Sequence, residues 1–204
     1  MSDSRERLLM ATIASVAEKG YAATTVDEIC AKAGVTKGAF FHHFPSKRSL
    51  TVAAVNDWSE KCEALYRSAP YREIEDPLER FLAYLSFRKE MLHIPMALTS
   101  GVVNMMIREI SESYPDIRQA CEACISRQFA QVESDIAAVI QRYGIDPRWS
   151  SKSLALHTHA VLQGIHILVK TKDDIAVAEV SIEHLRHYVE MLFQTARSNQ
   201  ARIN

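Results

Sequence analysis

Residues 34–44, GVTKGAFFHHF, bring one ammonium, one hydroxyl, two imidazoles and three phenyl rings together on one short stretch. This is recognition chemistry rather than catalytic chemistry. Lys37 can donate to a paired acceptor edge such as guanine O6 and N7, and Ala39 can meet a thymine methyl. Gly38 has no side chain, so backbone can come close to a base edge. Five consecutive rings, Phe40 to Phe44, do not fit the three-or-four spacing of an ordinary core helix. On a helix Phe40 and Phe44 share a face and would lock the segment onto its neighbours. Phe41 points elsewhere, toward sugar or a thymine methyl. His42 and His43 suit hydrogen bonds to phosphate or base. The hydroxyls of Thr25 and Thr36, at helix starts, and the ammonium of Lys47 suit phosphate contacts. A plain three-helix core would account for Phe40 and Phe44 but not for Lys37 and Gly38.

Other reactive residues carry less. Cys121 and Cys124 fall at i and i+3 of a helical stretch, which permits oxidation sensing or simple packing. His157, His159 and His166, and the pair His184 and His187, lack the adjoining ligands of a tetrahedral metal set, so neither metal nor cofactor is expected. The chain has no G-x-S-x-G, no phosphate-binding glycine loop and no H-E-x-x-H, and is read as a non-enzyme. A helical metal-binding or enzymatic bundle without DNA binding is the alternative from another class.

The elements that position these residues follow from composition and punctuation. The chain has 204 residues, 48% hydrophobic, with only six glycines and six prolines, which favours an all-α fold. Ser4 to Lys19 reads as a first helix ended by Gly20. Thr25 with Glu28 forms a capping box for a second, and Gly34 supplies the turn after it. Thr36 caps a third helix over 36–44, stopped by Pro45. Two short helices around a glycine turn form a helix-turn-helix, whose second helix enters the major groove. A fourth helix runs from Ser46 to about Arg67. Further helices are expected over 77–92, from Pro115 to Tyr143, over 150–171 and over 174–197. The domains expected are 1–48, a helix-turn-helix DNA-binding domain, and 49–204, a helical regulatory and dimerisation domain.

Charge supports that division. Residues 1–48 carry seven Lys/Arg and five Asp/Glu, a net +2 in a chain of net −1, and residues 31–50 contain no acid. A basic end on a near-neutral protein points to a local polyanion. No apolar run spans a bilayer, and MSDSRERLLM lacks the apolar core of a secretory signal. With unpaired cysteines, the expectation is a cytoplasmic protein without membrane contact.

Residues 5–50 resemble the N-terminal domain of the tetracycline-repressor (TetR) family of bacterial transcriptional regulators. The resemblance lies in Gly20-Tyr21, Thr25-Val26, Ile29, Ala33-Gly34-Val35, Lys37-Gly38 and His43-Phe44-Pro45-Ser46-Lys47. The family commonly has Leu-Tyr where this chain has Phe40-Phe41, which removes one hydroxyl from the expected phosphate contacts.

The resemblance implies a helical C-terminal body, a homodimer through the last two long helices, a palindromic operator, and release of a repressor by a small molecule. The expected dimer contacts are Leu154, Val161, Gly164, Ile165 and Leu168 on one helix, and Leu185, Tyr188, Val189 and Leu192 on the other. The expected effector is apolar or amphipathic. Its candidate lining is Tyr84, Phe87, Met91, Met96, Met105, Met106 and Phe129, methionine being adaptable to varied ligands. Redox sensing through Cys121 and Cys124 is the alternative regulatory input.

Overall fold

The computed structural model describes residues 3–94, 103, 106, 109 and 113–203, with the side chains of Lys170 and of residues 196–203 left aside. Eight α-helices make up the described chain, which contains no strand. They are α1 (Ser4–Lys19), α2 (Val26–Ala33), α3 (Lys37–His43), α4 (Lys47–Ser68), α5 (Pro77–Glu90), α6 (Pro115–Tyr143), α7 (Ser151–Lys172) and α8 (Ala176–Ile203). Tight 3-10 turns at Pro70–Glu73 and Met91–His93 flank α5. The all-α expectation holds.

Contacts divide the chain into two units: Met1–Tyr66 with Pro95–Ser126, and Arg67–Ile94 with Arg127–Asn204. The boundary expected at residue 48 falls inside α4.

In the first unit, local sequence sets every turn. The Thr25 hydroxyl accepts the Glu28 amide while Glu28 reaches back to the Thr25 amide, a complete capping box. Gly34 closes α2 in the left-handed region at φ 63°, where a side chain would be strained. The Thr36 hydroxyl accepts the Ala39 amide at 3.2 Å and starts α3. Phe44 turns extended ahead of Pro45, as the proline ring requires. The core of this unit joins Leu8, Leu9, Ile13 and Val16 of α1 to Ile29 of α2, Phe40 of α3 and Leu50 of α4. Phe40 is fully buried, and truncating such a ring to alanine costs about 3–5 kcal/mol.

Long-range contacts finish this unit. Val103, Met106, Ile117, Cys121 and Cys124 pack into the same core. The Glu109 carboxylate accepts the amides of Tyr21 at 2.7 Å and Ala22 at 2.6 Å, in the turn after α1. Gly20 makes room for it: a Cβ there would sit 2.5 Å from Glu109 Oε2. Arg48 Nε donates to both oxygens of Asp116 at 2.7 Å.

In the second unit, Asp76 caps α5 by accepting the amides of Leu78 and Glu79, with Pro77 in the first turn. Ser150 and Ser153 form a capping box at the start of α7. Asp173, left-handed at φ 51°, closes that helix within the TKDD stretch. Helices α5, α7 and α8 pack together around Phe81, Leu85, Leu154, Ile165, Ile182, Leu185, Val189 and Phe193. Arg72 holds Asp135 at 2.8 Å and Tyr143 donates to Asp76 at 2.6 Å.

Candidate nucleic-acid interface

The capped ends of α2 and α3 fix which ring faces where. Phe40 and Phe44 turn inward and are buried, while Phe41 between them is 58% exposed. Lys37, Gly38 and His42 lie on the exposed side of α3, with Ala39 half-buried. A Cβ at Gly38 would meet only Thr36 Oγ1, at 3.8 Å. The fold therefore has room for a side chain at Gly38 and does not require the glycine.

Residues 31–50 are free of acids in the sequence but not in space. Lys37 Nζ lies 2.7 Å from Asp27 Oδ1, on α2. Lys32 pairs with Glu18, and Arg48 with Asp116. The Asp27 hydrogen bond, then its charge, raises the pKa of Lys37, which stays cationic. A phosphate or a base would reach these side chains only by displacing a carboxylate.

Three expected phosphate contacts are already engaged. Lys47 Nζ donates to the carbonyls of Tyr21 at 2.9 Å and Thr24 at 2.7 Å, and lies 4.2 Å from the centre of the Tyr21 ring. Burial lowers its pKa. It clamps the turn between α1 and α2, leaving one of its three N–H groups. The Thr25 hydroxyl donates to Glu28 at 2.8 Å, so its proton is committed to the capping box. His43 Nε2 sits 2.6 Å from Ser4 Oγ, which turns this ring toward the start of α1. The partners of Lys47 and His43 come from residues far along the chain, which spacing alone does not report.

Cys121 and Cys124 are buried. Burial, then the neighbouring Cys124, pushes the Cys121 thiol up to about 12. A thiol so buried and so weakly acidic is a packing group, not an oxidant's target. Redox sensing through this pair is not favoured. Among the described residues, no group of three or more His, Cys, Asp or Glu could hold a metal ion.

The expected dimer residues divide. Leu154, Ile165, Leu185 and Val189 are buried within their own unit. A fully apolar stripe on a helix marks the face that packs against its own core. Leu168 and Tyr188 are exposed, and Val161, Gly164 and Leu192 are half-buried. Leu156, Ile167, Val180 and Met191, which periodicity does not single out, are exposed on the same two helices.

The expected effector lining divides too. Tyr84 and Met91 are buried in the second unit, where Phe87 and Phe129 are half-buried. Met106 belongs to the core of the first unit. Met96 and Met105 lie outside the described residues.

The model for bacterial regulatory proteins, tetR family, matches residues 8–54. The chain is 44% identical over 54 residues to the uncharacterized HTH-type transcriptional regulator YerO of Bacillus subtilis (strain 168). That match spans 26% of this chain and only 19% of that relative. A TetR transcriptional regulator from Chloroflexus aurantiacus J-10-FL superimposes with a TM-score of 0.82 at 24% identity, covering 92% of this chain and 94% of its own. The transcriptional regulator FadR from Bacillus subtilis, in complex with stearoyl-CoA, superimposes with a TM-score of 0.71 at 17% identity, covering 88% and 96%. Among the described residues no helix is long and apolar enough to cross a membrane. Residues 8–54 thus match the tetR family of bacterial regulatory proteins in sequence, and the chain shares its fold with TetR-family regulators over nearly its whole length.

Proposed function

We propose that this protein is a ligand-responsive transcriptional repressor, not an enzyme, that acts in the cytoplasm as a homodimer on a palindromic duplex. Gly38 carries the reading. A helix-breaking residue at an exposed, uncrowded position of α3 lowers helix stability by roughly 1 kcal/mol against alanine. Close approach of a base edge compensates for it. Lys37 and His42 flank it as base contacts, and Phe41 offers an apolar surface to sugar or methyl. Thr36 retains a hydroxyl proton for phosphate. Lys47 contributes chiefly by holding the turn between α1 and α2, with one N–H left for phosphate.

The exposed apolar side chains of α7 and α8 support the dimer. A two-fold protein places two copies of α3 on symmetric half-sites. A small molecule that binds better to one spacing of those helices than another shifts the population and releases DNA. The FadR–stearoyl-CoA complex is a precedent within the same fold.

The experiment is selection of bound duplexes from a random pool near physiological salt, with wild type and Lys37→Ala in parallel. The reading requires one palindrome from wild type and lost preference at a symmetric pair of positions in the variant. No enrichment by protein that has been unfolded, stripped of bound ligand and refolded would sink it.

A further inference from the structure

Residues 1–48 hold seven basic side chains, and the fold engages six of them internally. Lys19 pairs with Glu28, Lys32 with Glu18, Lys37 with Asp27 and Arg48 with Asp116. Arg7 Nη1 donates to the carbonyls of Ala33 at 3.0 Å and Gly34 at 3.2 Å, at the end of α2. Lys47 donates to the carbonyls of Tyr21 and Thr24. Arg5 is the seventh. Among the described residues its guanidinium has no carboxylate or carbonyl partner, and it lies over the Phe44 ring, with Cζ 5.6 Å from the ring centre.

Arg5 is exposed in the first turn of α1, and Phe44 is buried at the end of α3. A second contact holds those two ends together: Ser4 Oγ and His43 Nε2 are 2.6 Å apart. The ring attracts the cation but offers no oxygen acceptor, so the five N–H groups of the guanidinium stay open to an incoming anion. Position decides which anion Arg5 can reach. Lys37 opens α3 and Phe44 follows its last residue, about 10 Å further along the helix axis. The N-terminal residues of a recognition helix meet base edges. A cation beyond the opposite end lies past those edges, toward the sugar-phosphate backbone that walls the groove. Arg5 also precedes residues 8–54, the stretch matched by the family model, so this placement comes from the chain's own packing.

We propose that Arg5, steadied by the Phe44 ring, binds a backbone phosphate of the operator at the C-terminal end of α3. The proposal rests on the DNA-binding reading above. A guanidinium and a phosphate form two parallel charge-assisted bonds. Lys32, Lys37 and Arg48 would each have to release a carboxylate before taking a phosphate, and Arg5 releases none. It therefore carries a large share of the attraction to any duplex, cognate or random, and carries no sequence preference of its own.

The test is fluorescence anisotropy of the full chain across a salt series, on the selected palindrome and on random duplex, with Arg5→Gln and Arg5→Lys beside wild type. Arg5→Gln weakens binding to both duplexes by the same factor, roughly tenfold per bound subunit at low salt. The slope of log affinity against log salt falls by about one per subunit. The preference for the palindrome stays as in wild type. Arg5→Lys keeps the slope, because an ammonium brings the same charge to phosphate. A purely structural contact between Arg5 and Phe44 would lower the Tm of the free protein and leave the salt slope alone. An unchanged slope in Arg5→Gln, a loss confined to the palindrome, or a lysine variant that behaves as the glutamine one overturns the proposal. In each of those cases wild type still binds its palindrome and the regulator reading stands. Wild type that binds no duplex at all overturns both.

Discussion

Lys37 Nζ lies 2.7 Å from Asp27 Oδ1, joining the first turn of α2 to the first turn of α3. The side chain best placed to read a base is thus held by a carboxylate of the same domain. On non-cognate DNA that carboxylate competes with phosphate for the ammonium. If Lys37 reads a guanine edge as proposed, that edge replaces the carboxylate on a cognate site. Asp27→Asn should tighten binding to random duplex by about threefold at low salt and steepen the salt dependence, since one more cation is available to phosphate. The preference for cognate over random duplex should fall. Fluorescence anisotropy against both duplexes across a salt series checks this. Unchanged binding to random duplex would show that the pair does not restrain Lys37.

Glu109 accepts two adjacent backbone amides, those of Tyr21 and Ala22. Hydrogen bonds to a charged group are worth about 1.5–3 kcal/mol each, and the two share one carboxylate. Glu109→Gln removes the charge and one acceptor oxygen. It should destabilise the first unit by roughly 2 kcal/mol and speed amide exchange at Tyr21 and Ala22 before other amides of that unit. Hydrogen-exchange NMR reads this directly. Equal acceleration throughout the unit would mean that Glu109 supports its global stability rather than this turn.

These two contacts mark what the sequence could and could not reveal. Thr25–Glu28, Gly34, Thr36 and Pro45 act within four residues of where they stand, so the boundaries of α1 to α3 are legible. The inward aim of Phe40 and Phe44 is legible from helical period. Glu109 stands 88 residues along the chain from Tyr21, whose amide it accepts, and no local pattern announces it. Lys47 reads as a phosphate contact because a lysine at a helix start is ordinarily solvated, whereas folding closes two carbonyls over it. Helical period in α7 and α8 marks apolar positions without separating those that face the unit's own core, such as Leu154 and Val189, from those left exposed, such as Leu168 and Tyr188.

Glu28 makes α2 sensitive to acid. The Lys19 ammonium, then the Thr25 amide and hydroxyl, bring the Glu28 carboxyl from 4.5 to about 2. A carboxyl depressed in the folded state binds protons more readily when unfolded. Its stabilising contribution is therefore complete above the unfolded value and is lost as pH falls toward about 2. The Tm gap between wild type and Glu28→Gln should be largest above pH 5 and close steadily below about pH 4.5. A gap independent of pH would assign the effect to shape rather than charge.

Gly164 provides the sharpest test of the dimer face. A Cβ built there meets nothing within 4 Å, so the unit does not need glycine at that position. Val180 and Met191 are each 55% exposed on the neighbouring α8, and large exposed apolar side chains favour a partner. If a second copy lies close against α7, a branched side chain at 164 will collide with it while leaving its own chain undisturbed. Gly164→Leu should therefore weaken self-association by at least about a hundredfold, equivalent to roughly 3 kcal/mol. The helical content should stay the same, because leucine favours a helix over glycine by close to 1 kcal/mol. Sedimentation velocity with circular dichroism separates these effects. A variant that remains dimeric would move the interface off this face of α7, and the symmetric half-site prediction would need another two-fold axis.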